Sequence, residues 1–150
     1  MAVLSWGKPK VEVGIVGAGG LPPTTWIEFP AIKKDTAKLN TEPGATTEAL
    51  EEGGAVIDKR VDKSKYSFEC EVFVKKGDIK PIEDDDGIVL ENYAIRLTPE
   101  DPTTEGFIMD KTNVGCVETW SSADGKMWKY RFDGLKPTTG KILKPFPEVA

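Results

Sequence analysis

The chain contains no histidine among its 150 residues. That removes the side chain most used as a general base near neutral pH, the commonest zinc ligand, and the usual partner of a serine or cysteine nucleophile. The expectation is a non-enzymatic protein with no catalytic, cofactor-binding or metal-binding residues. Only two cysteines are present, Cys70 and Cys116, too few for a disulfide framework and without metal-ligand spacing. Each stands in an alternating run among apolar neighbours, which predicts buried free thiols acting as small core side chains. No apolar run approaches the roughly 18–20 residues a membrane span requires, and the N-terminus lacks the basic and apolar regions of a signal peptide. Synthesis in the cytoplasm and no membrane partner are therefore expected. A positive excess is missing too. The net charge of −5 opposes tight binding to nucleic-acid phosphates or to anionic lipid, both of which need clustered Lys and Arg.

Turn-forming residues are plentiful instead. Fifteen glycines and eleven prolines are spread along the chain, as many short strands joined by turns require. Strand patterns fall at Val11–Val16, Thr25–Phe29, Ala55–Val61, Tyr66–Val74 and Tyr93–Leu97, with Thr36–Thr41 as a candidate edge strand. Helix is scarce. Thr46–Glu52 is expected to hold at most two turns, stopped by Gly53-Gly54, and Lys80–Gly87 to open a short helix with Pro81 at its first position. Lys136–Pro147 alternates but carries three prolines, which places it at a sheet edge or in an arm. The pattern predicts one domain, residues 1–150, mainly β. Its expected form is two packed antiparallel sheets, sandwich- or barrel-like, with one short helix and a long irregular loop over residues 31–54.

The clearest strand pattern runs from Thr112 to Phe132 and is broken by Ala123-Asp124-Gly125-Lys126. A turn over Ser122–Gly125 with Gly125 left-handed pairs Trp120 with Trp128 and Cys116 with Phe132, gathering the large apolar groups on one face. Trp120, Trp128 and Phe132 are thus expected in the core. In the Tyr66–Val74 strand, Tyr66, Phe68, Cys70, Val72 and Val74 share the opposite face from Ser67, Glu69 and Glu71, and Phe73 breaks the polar row.

Three motifs invite chemistry and fail on context. Val13-Gly14-Ile15-Val16-Gly17-Ala18-Gly19-Gly20 resembles a dinucleotide-binding turn, but Pro22 stands where the third glycine belongs and Pro23 follows it. Glu69 and Glu71 resemble a glycosidase pair, yet alternate carboxylates on a strand are the ordinary wet face of a sheet. Asp84-Asp85-Asp86-Gly87 resembles half a calcium loop, which Ile82 and Tyr93 put out of register.

The order of segments carries a further signal. Trp6-Gly-Lys-Pro9 comes first, then Trp26-Ile-Glu-Phe-Pro30 with Asp35-Thr-Ala-Lys-Leu-Asn40. Next stand Glu51-Glu-Gly-Gly-Ala-Val-Ile-Asp58 and the strand Lys65–Lys75, and Asn92–Asp101 and Asp124–Pro137 close the series. From Trp6 to Pro137 this resembles the bacteriophage tail tube proteins, a family related to type VI secretion tubes. The resemblance implies packed antiparallel sheets flanked by a short helix and subunits that associate with themselves in rings, usually hexameric. Such rings stack as a hollow tube in the virion tail beside other tail proteins, with DNA only as passing cargo. Residues 31–54 and both termini are the candidate arms between rings, and Glu69 and Glu71 are expected to face the lumen. The alternative is a small β-sandwich binding module for carbohydrate or protein, for which the core placement of Trp120 and Trp128 leaves Trp6 and Trp26.

Overall fold

In the computed structural model, which describes Leu4 and residues 7–146, the chain is mainly β. Ten strands form in order: β1 (Lys10–Ile15), β2 (Ile27–Glu28), β3 (Lys38–Glu42), β4 (Thr46–Leu50), β5 (Val56–Val61), β6 (Lys65–Phe73), β7 (Tyr93–Thr98), β8 (Gly106–Ser121), β9 (Gly125–Gly134) and β10 (Lys144–Phe146). Eight of them build one antiparallel sheet in the order β2-β1-β7-β8-β9-β6-β3, with β10 added to β8. The remaining two, β4 and β5, form a separate two-stranded ribbon. The sheet is not a closed barrel, but one segment ties its two margins. Phe29 donates its backbone N–H to Val11 of β1, while Phe73 of β6 donates to Ala31 and Lys33 donates to Glu71. Residues 29–37 thus form a strap from one side of the sheet to the other.

The core lies under that strap. Alternation on β6 and β9 points Phe68, Cys70, Val72, Trp128, Tyr130 and Phe132 inward. Phe29 comes down from the strap onto this row, with ring centroids 5.2 Å from Tyr130 and 5.9 Å from Phe132. Phe68 meets Phe107 of β8 at 5.3 Å. Burying such rings dominates the apolar driving force. Two polar groups of the core are hydrogen-bonded, Thr112 donating to the Tyr93 carbonyl at 2.6 Å and Tyr130 donating to the Ile82 carbonyl at 3.1 Å, whereas the buried Trp128 indole N–H has no partner among the described residues. Both cysteines are free and buried. In register they flank Tyr130, Cys70 on β6 and Cys116 on β8. Two strand spacings of about 4.8 Å therefore separate them, beyond disulfide reach.

Two expected helices are not formed. Thr46–Leu50 is a strand paired with β5, from Thr46 opposite Val61 to Ala49 opposite Asp58 and then, across a bulge at Ile57, Leu50 opposite Val56. A helix of that length with no buried face lacks the cooperativity to persist, whereas cross-strand partners satisfy the same backbone at once. Gly53 and Gly54 both have positive φ and turn the ribbon instead of stopping a helix. Around Pro81 the chain bends because Ile82 is drawn fully into the core. There Asp84 accepts a hydrogen bond from the Gly87 N–H at 2.7 Å, closing a turn through Asp86 and Gly87 at positive φ. The only helical turn among the described residues is 3-10, at Ala18–Gly20.

The β8–β9 hairpin has Gly125 at φ 74°, as expected, but a different register. Trp120 faces Lys126, Glu118 faces Trp128 and Cys116 faces Tyr130. A slip of two residues keeps every side chain on its own face, so facing cannot choose between the two pairings; the turn does. Here the loop is Ser122–Asp124, with the Asp124 N–H bonded to the Ser121 hydroxyl at 3.1 Å. Trp120 consequently overhangs the core. It lies on the same face as Trp128 yet is 73% exposed, against 5% for Trp128.

Candidate assembly surfaces

The ribbon departs most from a self-contained domain. Every residue of β4 and β5 is exposed, and the two strands pair only with each other. The register places Thr46, Glu48 and Leu50 opposite Val61, Lys59 and Val56 on one face. That face presents Leu50, Val56 and Val61 to solvent on either side of the Glu48–Lys59 pair. A lone two-stranded ribbon is marginally stable in water, and its margins offer unpaired backbone groups. The base is nevertheless tightly fixed, since a Cβ on Gly44 would come 1.8 Å from the Asp62 carbonyl oxygen. Glu42 and Lys65, the last and first residues of β3 and β6, are direct partners across the sheet below it.

Of residues 31–54, expected as one long arm, the first part is the strap. Ile32 bridges to Val72 of β6, Ile32 and Ala37 pack on the core, and the Thr36 hydroxyl accepts the Glu71 N–H at 3.2 Å. Only residues 43–63 project. At the other chain end β10 lies on β8, pairing Lys144 with Ile108 and Phe146 with Gly106. Residues 1–3, 5, 6 and 147–150, including Trp6, lie outside the described residues.

A groove of about 1000 Å³ runs along the strap. Phe29, Ile32 and Leu97 supply its apolar lining, and Lys8, Lys34 and Lys75 stand exposed on its rim. The hairpin tip closes one side of this region through an ion pair of Lys33 Nζ with Asp124 at 3.1 Å.

The motifs singled out in the sequence all sit in structural roles. Gly17–Gly20 caps no long helix; Thr138 donates to the Gly19 carbonyl, and a Cβ on Gly20 would lie 2.0 Å from the Thr138 hydroxyl. Glu69 lies between Lys38 of β3 and Arg131 of β9, and Glu71 lies opposite Lys129, so the polar row alternates in sign. Phe73, which breaks that row, is half-buried against the strap. Asp84 belongs to a cluster in which Lys80 Nζ contacts Asp84 at 2.5 Å and Glu118 at 2.6 Å, 5.9 Å from the centre of the Trp128 ring. The Lys80 hydrogen bond holds the Asp84 carboxyl below its ordinary value and does the same for Glu118. Burial opposes the charge on Lys80, but the hydrogen bonds to both acids outweigh it and raise the ammonium pKa. Burial pushes the Cys70 thiol up to about 12, with Glu69 and Glu71 adding to the shift. At that value it is no nucleophile at neutral pH. Trp26 is engaged as well, stacked 4.1 Å from the guanidinium of Arg96, which also forks onto Glu12 at 3.2 and 3.1 Å. Among the described residues no group of three His, Cys, Asp or Glu side chains is placed to hold a metal ion, and no helix is long and apolar enough to cross a membrane. Comparison with known proteins found no matching family model and no matching curated protein.

Proposed function

We propose that the protein is a structural subunit that associates with copies of itself to build a hollow, tail-like tube. In that reading, hexameric rings stack in a virion tail beside other tail proteins, and DNA is passing cargo. The observation that carries the self-association is the β4–β5 ribbon, which presents Leu50, Val56 and Val61 on a surface that none of the described residues covers. Burying such a face against another subunit gives the ribbon the third layer it lacks as a lone hairpin. The resemblance in segment order supports the tube in particular. Light scattering and negative-stain microscopy of the purified chain test the reading. Rings or tubes at raised concentration are the expected result, and a strict monomer at every concentration overturns it.

Trp120 favours a second reading. It stands 73% exposed at the hairpin tip, a large ring presented to solvent of the sort a carbohydrate- or protein-binding module uses. A monomer that binds glycans and loses that binding in Trp120→Ala supports this alternative instead.

A further inference from the structure

We propose that the lysine-rimmed groove along the strap receives the acidic tip of the β4–β5 ribbon from a second copy of the chain. The inference rests on the self-assembly reading above and adds to it the receiving site. The ionic side chains lining the groove are weighted toward lysine, with Lys8, Lys33, Lys34 and Lys75 against Glu28 and Asp35. Lys33 is engaged by Asp124, while Lys8, Lys34 and Lys75 have no ion-pair partner among the described residues. The ribbon tip carries the opposite charge. Glu51 and Glu52 precede Gly53-Gly54, are exposed, and likewise have no ion-pair partner among the described residues.

The apolar surfaces match in the same order. Behind the two carboxylates stand Leu50 and Val56; behind the lysines lies the apolar floor of the groove. No residue of the ribbon lines the groove of its own chain. The ribbon springs from the Lys65 end of β6, whereas Lys75 follows the other end and Lys33-Lys34 sit there against the hairpin tip. The length of β6 puts these two ends roughly 27 Å apart. A contact between two different patches at opposite ends of a strand is heterologous, so it propagates from copy to copy instead of closing as a two-fold dimer. Opposite charges across it also set orientation and speed encounter.

Charge reversal from each side tests the pairing, read by sedimentation velocity and negative-stain microscopy of the full chain. Glu51→Lys/Glu52→Lys alone and Lys34→Glu/Lys75→Glu alone should each raise the concentration needed for assembly at least about tenfold. An equimolar mixture of the two should recover parental assembly, because each reversed tip then meets a reversed groove. All four positions are exposed, and thermal unfolding of each variant separates loss of contact from loss of fold. If the parent assembles and the reversed variants match it, or the mixture fails to recover, the groove is not the receiving site while self-assembly stands. A parent that stays monomeric at every concentration overturns both.

Discussion

Excising the ribbon is the sharpest way to separate its role from that of the sheet. Glu42 and Lys65 are already partners in the β3–β6 ladder, so residues 43–64 can be replaced by a four-residue turn centred on Asn-Gly that joins the two strands directly. No core side chain leaves with the ribbon, because every residue of β4 and β5 is exposed and none belongs to the buried cluster. The burial term is therefore close to zero. What changes is the closure of the chain between β3 and β6. Shortening that loop about fivefold lowers its closure cost by roughly 1.5 kcal/mol, and the hairpin itself contributes little in isolation. For a domain of this size that corresponds to a rise in Tm of about 3–6 °C. The expected outcome is a monomer as stable as the parent or slightly more so, with its single unfolding transition intact and its assembly abolished. Differential scanning calorimetry and sedimentation velocity measure both. A fall in Tm of more than about 5 °C would mean that the ribbon supports the core, and the reasoning would be wrong.

The two hairpin tryptophans should behave in opposite ways. Trp128→Ala removes a buried ring and should cost about 3–5 kcal/mol, whereas Trp120→Ala at the overhanging tip should stay within about 0.5 kcal/mol; urea unfolding of the two variants checks the contrast. Asp84 has its pKa lowered by Lys80. Its stabilisation is therefore present above the ordinary carboxylate range and is lost as pH falls through the folded-state value. Asp84→Asn should accordingly destabilise at neutral pH and flatten the acid limb of the stability curve below about pH 4, and an unchanged acid limb would contradict the ion pair.

Much of the sheet was legible because strand alternation marks faces directly. The inward row Phe68, Cys70, Val72 and the pair Tyr130, Phe132 follow from period-two pattern alone. The register of the β8–β9 hairpin did not follow, since pairings two residues apart satisfy the same faces and differ only in the turn. That single ambiguity moved Trp120 from expected core to exposed tip. The ribbon was hidden for a different reason. Thr46–Leu50 has neither a helical stripe nor strict alternation, and a segment without a buried face carries no periodic signal. Its strand state depends on Val56–Val61 opposite, a pairing that local pattern does not report. Ile82 shows the converse: one apolar residue in an acidic loop, fully buried, with its carbonyl held by Tyr130 from 48 residues away.

The distribution of charge bears on what such a subunit does with a polyanion. Gripping phosphates requires cations free of neighbouring carboxylates. On the outer face of β3, β6 and β9 the register sets Glu69 between Lys38 and Arg131 and Glu71 opposite Lys129, while Arg131 is paired with Asp133 at 3.1 Å. Lys38, Lys129 and Arg131 thus each stand opposite a carboxylate in the ladder, so charges of both signs alternate on this face. At the groove, by contrast, Lys8, Lys34 and Lys75 stand together without an ion-pair partner among the described residues, opposite in sign to the Glu51-Glu52 tip. In a tube subunit this division would let the sheet face let DNA by while the strap and ribbon hold neighbouring copies, because a row compensated within its own sheet has little net field left to act on the cargo.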